Sequence, residues 1–207
     1  MRIILARHAE TVYNAGARMQ GHMAHTPLTR AGIAQAEAMG AALAAHLDGA
    51  AELDIWASPA GRTLQTVAII AEHLGRDFFD VRTDRRLLEI DVGDWEGRLY
   101  ADIVAETGPI ICPDRRVFHT RPPGGEWYPA IAERLGSWLA ALSPSRDVLV
   151  ISHGIALRVL RGLLAGGEPF EGVLLADDAP QGSVFHIEEG IQSFLYTGSG
   201  STGARAV

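Results

Sequence analysis

Cysteine is almost missing from this chain: Cys112 is the one thiol in 207 residues. That excludes an internal disulfide and a thiolate metal cluster. Long hydrophobic runs are missing too. The purely apolar stretches are a few residues each, far below the roughly 20 that a membrane-spanning helix needs. Positive charge is in deficit, with 18 Lys+Arg against 25 Asp+Glu and a formal charge of −7. Non-specific nucleic-acid binding needs a cationic surface and is excluded on that balance. The opening Met1–His8 becomes charged too early for a secretory leader, so a cytoplasmic protein is expected. Composition is otherwise average, 47% apolar and 21% charged, which excludes a disordered, collagen-like or coiled-coil chain. At this length about 70% of the surface can be buried, so one core needs no staple.

Strand-like and helix-like segments alternate. Residues 2–6 form a short β-branched run ending at Arg7-His8. Thr29 can cap a helix whose stripe is Ile33, Ala36, Gly40, Leu43 and Leu47, stopped by Asp48-Gly49. Leu53–Ala57 reads as a strand. Ser58-Pro59 reads as the start of a second helix, with Ser as cap and Pro at the first position. The stripe there is Leu64, Val67, Ala68, Ala71 and Leu74, with Gly75 as the stop. Phe78–Arg82 is a candidate third strand. Residues 92–126 are irregular, a length that is usually functional or carries a small helix of its own. Pro129 begins a helix with Ile131, Leu135, Trp138 and Leu142 on one face. Val148–Ile151 is the clearest strand and runs into Ser152-His153-Gly154 and a further helix. Residues 183–188 and 191–196 suit an antiparallel edge hairpin. The pattern predicts an α/β fold of three layers, a mostly parallel central sheet with helices on both faces. Residues 1–196 are expected as one domain, and 197–207 as a disordered Gly/Ser-rich tail.

Two histidines occupy equivalent places, His8 after the first strand and His153 after the strand at 148–151. Ligands of such sheets bind beyond the carboxyl ends of the strands, so both imidazoles are expected in one crevice. Arg7 adjoins His8, and Arg62 sits in the first turn after Ser58-Pro59. Two arginines and two histidines repel one another unless an anion lies between them. Guanidinium matches phosphate oxygens bidentately. It cannot ligate a metal, and its charge opposes a dication, so no metal is expected. A neutral imidazole beside phosphate is a competent nucleophile. The proton for the leaving oxygen would come from residues 87–97. Glu89, Asp91, Asp94 and Glu96 are all available there, and composition does not choose among them.

At this point the chain resembles the histidine phosphatase superfamily, or phosphoglycerate mutase-like family. Its signature Arg-His-Gly-x-Thr-x-x-Asn is matched by Arg7-His8-Ala9-Glu10-Thr11-Val12-Tyr13-Asn14. Gln20-Gly21, Pro27-Leu28-Thr29 with Gly32, and Ser58-Pro59-Ala60-Gly61-Arg62 with Thr66 follow in family order. Leu88-Glu89 with Gly93, Trp95, Glu96 and Gly97 comes next, then Pro123-Gly124-Gly125-Glu126 and Ser152-His153-Gly154. The resemblance implies a phosphoglycerate mutase-like fold and a phosphomonoester hydrolase of the phosphatase branch. It implies His8 as the phosphorylated nucleophile and Glu89 as general acid and base. Arg7, Arg62 and His153 would hold phosphoryl oxygens, Asn14 would donate to phosphate, and Gln20 and Gly21 would line the entrance. No metal or organic cofactor is implied, and the expected partner is a small phosphorylated metabolite.

Departures from the family pattern fall away from the phosphate residues. Ala9 replaces glycine, His22–Thr26 lacks the usual acidic residue, and Trp127 stands where serine is common. Phosphoglycerate mutase-type transfer is the alternative within the same chemistry, because Arg115-Arg116 resembles a pair that mutases use on the acceptor acid. A non-catalytic phospho-ligand module is the alternative of another class, and a metal-dependent hydrolase a third. His46 and His73, near helix C-termini, read as structural. His22, His25 and His119 are candidates for the entrance, and Arg115, Arg116 and Arg121 for substrate contact or for a solvated loop.

Overall fold

A computed structural model describes residues 1–47, 53–143 and 145–200. The chain runs through β1 (Ile3–Arg7), a single turn α1 (Val12–Ala15), α2 (Arg30–His46), β2 (Leu53–Ala57), α3 (Gly61–His73) and β3 (Arg82–Thr83). Next come α4 (Tyr100–Thr107), the hairpin β4 (Ile111–Cys112) and β5 (Val117–Phe118), and α5 (Tyr128–Ala140). Then follow β6 (Asp147–Ser152), α6 (Gly154–Ala165), a second hairpin of β7 (Glu168–Phe170) and β8 (Val173–Leu175), and finally β9 (Val184–Glu188) and β10 (Ile191–Tyr196). The central sheet has the order β10-β9-β1-β6-β2-β3. Strands β1, β6, β2 and β3 pair in parallel, while β9 and β10 close one edge antiparallel.

Both faces of the sheet are covered. Ile3 and Leu5 of β1 face the core shared with α5 and α6, whereas Ile4 and Ala6 face the one shared with α2 and α3. Strand β6 alternates likewise, Val148 and Val150 against Leu149 and Ile151. The period-two alternation of a strand buried on both sides is what makes it read as an unbroken apolar run. Each fully buried Leu, Ile or Val side chain contributes about 1.5–3 kcal/mol. This is the three-layer, mixed but mostly parallel α/β fold expected.

Several local expectations are corrected. Thr29 caps α2 as expected, accepting the Gly32 N–H at 2.9 Å. The buried face, however, is Gly32, Gln35, Ala36, Met39, Gly40 and Leu43, and Ile33 points outward at 48% exposed. Gly32 causes the offset: a Cβ there would stand 2.0 Å from the Glu10 carbonyl oxygen, so this face lies directly on the loop after β1. The stop expected at Asp48-Gly49 lies outside the described residues. Helix α3 starts at Gly61 behind Ala60, not at Ser58-Pro59. Its buried face carries Arg62, Thr63 and Thr66 as well as Val67, Ile70 and Ala71, because its first turn faces the site. The strand expected at Phe78–Arg82 is instead a 3-10 turn at Phe78–Asp80 followed by the two-residue β3, with Phe79 90% exposed. The β7–β8 hairpin has no counterpart among the elements expected from sequence. In the segment expected to be a tail, the Gly198 N–H donates to Ser183 Oγ at 3.0 Å. Residues 201–207 lie outside the described residues.

Candidate active site

The carboxyl ends of three adjacent parallel strands meet. Strand β1 delivers Arg7 and His8, β6 delivers His153, and β2 delivers Ser58 ahead of Arg62 on α3. His8 is 4% exposed, and its Nδ1 lies 2.8 Å from the Ala9 carbonyl oxygen. A carbonyl only accepts, so Nδ1 carries the proton and Nε2 keeps a lone pair. Burial, then the charges of Arg62 and Arg7, hold the His8 imidazole well below its ordinary pKa of 6.5. The ring is therefore neutral at neutral pH.

Arg62 is fixed on nearly every side. Its Nε donates to His153 Nδ1 at 3.1 Å, its Nη1 to the Met23 carbonyl and Thr26 Oγ1 at 3.1 Å, and its Nη2 to the Gly21 carbonyl at 2.8 Å. Guanidinium has five N–H groups, so one Nη2 hydrogen is left for the cleft. Burial brings Arg62 down to about 10, still protonated at neutral pH. Gly21 has φ +47, and a Cβ there would meet Val92 Cγ2 at 2.6 Å, so glycine is required where the loop turns under Arg62. Arg7 Nη1 donates to the Ala179 carbonyl at 2.9 Å, while its buried Nε has no hydrogen-bond partner among the described residues. Buried donors of this kind call for an acceptor. A Cβ at Gly154 would lie 3.3 Å from Arg7 Nη2, so the glycine lets the guanidinium approach the start of α6.

His153 is fully buried and stands edge-on to His8, with ring centroids 5.2 Å apart. Because Nδ1 accepts from Arg62, the ring proton sits on Nε2 and is donated to Ser58 Oγ at 2.7 Å. Both ring nitrogens thus have protein partners. Burial, followed by Arg62 and His8, holds this imidazole well below 6.5 as well. The cleft wall includes Arg7, His8, Asn14, Gln20, Gly21, Arg62 and Glu89. His153 stands behind that wall, and of the candidates for the entrance and for substrate contact Arg116 lines the cleft while His22, His25, His119, Arg115 and Arg121 do not.

Of the four candidate carboxylates, Glu89 is the one that lines the cleft. Its Oε1 accepts the N–H of Ile90 and of Ala156, both at 3.0 Å, and its Oε2 accepts that of Ile155 at 3.2 Å. The last two groups belong to the first turn of α6, whose N–H groups have no partner within the helix and find one in this side chain. The Glu89 carbonyl is clamped by His22 Nε2 at 2.9 Å and Arg134 Nη2 at 3.1 Å. Asp91 Oδ1 accepts from Gly93, and Glu96 Oε1 from the His22 N–H, so both serve the loops.

Some working residues were not singled out from sequence. The Thr11 N–H donates to Asn14 Oδ1 at 3.1 Å and holds this side chain, which lines the cleft. Thr11 Oγ1 also lies 2.9 Å from Gln20 Oε1. The position of Thr11 inside the signature was the available signal. Tyr100, Arg158 and Asp178 also line the cleft. Nothing local in the sequence marks them, since they arrive from α4, α6 and the loop after β8. Among the described residues no group of three or more His, Cys, Asp or Glu side chains is arranged to hold a metal ion, and no described helix is long and apolar enough to cross a membrane.

Comparison with known proteins points the same way. A profile described as "Histidine phosphatase superfamily (branch 1)" matches residues 3–190. The glucosyl-3-phosphoglycerate phosphatase of Mycobacterium tuberculosis H37Rv is 33% identical over 175 residues, covering 79% of this chain and 74% of that one. A protein named "Probable phosphoglycerate mutase GpmB" from Proteus mirabilis is 36% identical over 176 residues, covering 80% and 75%. Among solved structures, the α-ribazole phosphatase of Shigella flexneri superposes with a TM-score of 0.71 at 28% identity, covering 96% of each chain.

Proposed function

Because the chain belongs to the histidine phosphatase superfamily, branch 1, we propose that it hydrolyses phosphomonoesters through a phosphohistidine on His8, with Glu89 as general acid and base. The state of His8 carries the reading: a neutral ring with its Nε2 lone pair free, beside a buried Arg7 Nε that lacks an acceptor. In the first step Nε2 attacks phosphorus. The P–N bond forms, the P–O bond to the alcohol breaks, and Glu89 gives its proton to the departing oxygen. Arg7, Arg62 and the Asn14 amide donate to the phosphoryl oxygens, whose charge they stabilise in the transition state. His153 supports the same oxygens by fixing the Arg62 fork, and it stands 5.2 Å from His8. In the second step Glu89 takes a proton from water, the hydroxide attacks phosphorus, and the P–N bond breaks to release inorganic phosphate. Gln20 and Gly21 form the rim.

The substrate in this reading is a small phosphorylated metabolite, and residues 1–196 are taken as one catalytic domain. A single cysteine suits a reducing compartment, and we place the protein in the cytoplasm. Phosphoryl return to a bound acceptor, as in a mutase, starts from the same phosphohistidine and is the second reading, favoured by the 36% identical relative of that name.

A single-turnover experiment with 32P-labelled substrate and alkaline quench tests the proposal. Label on the protein that is stable to alkali, lost in acid and absent from His8→Ala is the expected result. Turnover by His8→Ala near the wild-type rate would refute the nucleophile. Label chased into inorganic phosphate marks a phosphatase, and label chased into added phosphoglycerate marks a mutase.

A further inference from the structure

Glu89 sits in a stretch without regular structure, between the 3-10 turns at Arg85–Leu87 and Gly93–Trp95. No helix or strand ladder places its backbone, so tertiary bonds must. Ser152 Oγ donates to the Leu87 carbonyl at 2.7 Å. Arg134 of α5 spans the residues around it. Its Nη1 donates to the Arg86 carbonyl, and its Nη2 donates to the Glu89 carbonyl at 3.1 Å. One planar guanidinium thus holds two carbonyls three positions apart in the chain (89 − 86).

Glu126 grips that guanidinium from the other side. Arg134 Nε donates to Oε1 at 2.7 Å and Nη2 to Oε2 at 2.9 Å, a bidentate pair of fixed geometry. The two side chains are only 17% and 14% exposed, and an ion pair withdrawn from water adds little net stability. Its value here is geometric. Glu126 also reaches the far side of Glu89: its N–H donates to the Asp91 carbonyl at 2.9 Å, and its Oε2 accepts the Asp91 N–H at 3.4 Å. Gly125 permits this approach, since a Cβ there would stand 2.5 Å from the Asp91 carbonyl oxygen. The brace therefore closes around residue 89 from both sides, yet neither Arg134 nor Glu126 lines the cleft.

Resting on the hydrolase reading above, we propose that Arg134 and Glu126 are positioning residues for the general acid: together they set where the Glu89 carboxyl stands against the departing oxygen, and neither touches substrate. The carboxylate cannot hold that place by itself. Of the three N–H groups it accepts, that of Ile90 moves with the same stretch, which leaves two bonds to α6. Proton transfer needs about 2.6–3.2 Å between heavy atoms. A displacement of about 1 Å caused far from the chemistry costs on the order of 100-fold in rate.

Two esters and a second background test this through kcat/KM, which reports on the steps up to P–O cleavage. Arg134→Lys keeps a cation beside Glu126 and loses the fork that spans its partners. It should lower kcat/KM for 2-phenylethyl phosphate by about tenfold. With p-nitrophenyl phosphate the change should stay within about twofold, because a nitrophenolate leaves without the proton that an alkoxide needs. On a Glu89→Gln background the same substitution should change the alkyl ester by less than about twofold, since no proton remains to be placed. Glu126→Gln keeps the shape and weakens the grip on Arg134; it should show the same pattern at about threefold, and it carries the test if the lysine variant does not fold. Equal losses on the two esters, an undiminished loss on the Glu89→Gln background, or no loss in either variant overturns the inference while leaving the hydrolase reading standing. If the wild type turns over neither ester, the hydrolase reading itself falls and takes this inference with it.

Discussion

His153 Nε2 donates to Ser58 Oγ across 2.7 Å, tying the end of β6 to the end of β2. Arg62 Nε donates to the other nitrogen of the same ring, so the imidazole is a spacer that sets where the guanidinium points. Removing the hydroxyl leaves a buried N–H without an acceptor, at a cost of about 1–3 kcal/mol, and frees the ring to turn. Ser58→Ala should therefore lower kcat by about 10- to 100-fold, with a smaller change in KM, because a misplaced Arg62 fork loses transition-state contacts first. Steady-state kinetics with p-nitrophenyl phosphate decide the point. An unchanged kcat would mean that Arg62 is held without His153.

The two buried imidazoles make stability depend on pH in a defined direction. Unfolded histidine titrates near 6.5, and burial holds His8 and His153 well below that value. Below about pH 6.5 the unfolded chain binds protons that the folded one refuses. The contribution is thus complete above about pH 6.5 and is lost as pH falls toward the lowered folded values. The limiting slope is about 1.4 kcal/mol per pH unit for each ring. Urea unfolding of wild type and His8→Asn at pH 7.5, 6 and 5 isolates one ring. The variant should lose stability less steeply by about that amount, and parallel curves would show that His8 is not buried as a neutral ring.

Glu89 has two duties that one substitution separates. As the proton donor it matters most to alkoxides that leave poorly, so Glu89→Gln should slow alkyl phosphates by about 100-fold or more and p-nitrophenyl phosphate far less. As an acceptor for the first N–H groups of α6 it is only half replaced, since the amide oxygen can still accept while its nitrogen cannot. A loss of about 1 kcal/mol in stability follows from the weakened helix start. Rates measured across a series of leaving-group pKa values are the check. Equal losses along the series would move the acid elsewhere.

Legibility from sequence followed the range of the interactions. Thr29 as a helix cap, the unbroken apolar run of β6 and the stripe of α5 through Ile131, Leu135 and Trp138 were all readable, because cap chemistry and periodicity are local. The convergence of His8 and Arg62 was readable because both follow strand ends. Local pattern makes Ser58 a helix cap, and the structure gives it another role for the same reason that it matters. Its side chain had two possible jobs, and a tertiary partner, His153 at the start of α6, took it from the local one. Apolar spacing alone puts Ile33 inside because it ignores the backbone of Glu10, against which Gly32 packs. Asp178 was invisible, since its meaning comes from Arg116, which is 62 positions earlier in the chain (178 − 116) and joins it only through the fold.

Gly32 offers a case in which two effects of opposite sign compete. Alanine is the better helix former by about 1 kcal/mol, so propensity alone would have Gly32→Ala stabilise α2. The structure reverses the sign. The new methyl carbon would stand 2.0 Å from the Glu10 carbonyl oxygen, and that oxygen already accepts the Thr29 N–H at 3.0 Å. Glu10 is also held through its own N–H by Gln35 Oε1 at 2.9 Å and through its carboxylate by Thr29 Oγ1 at 2.8 Å. The backbone cannot retreat without breaking these bonds, and Thr11, which orients Asn14, is the next residue. Gly32→Ala should lose about 2–4 kcal/mol of stability and lower kcat/KM together with it. Urea midpoints and phosphatase assays at a temperature where the variant stays folded separate the two effects. Stability equal to wild type would show that the loop after β1 yields freely, and the ordered placement of Asn14 would then need another cause.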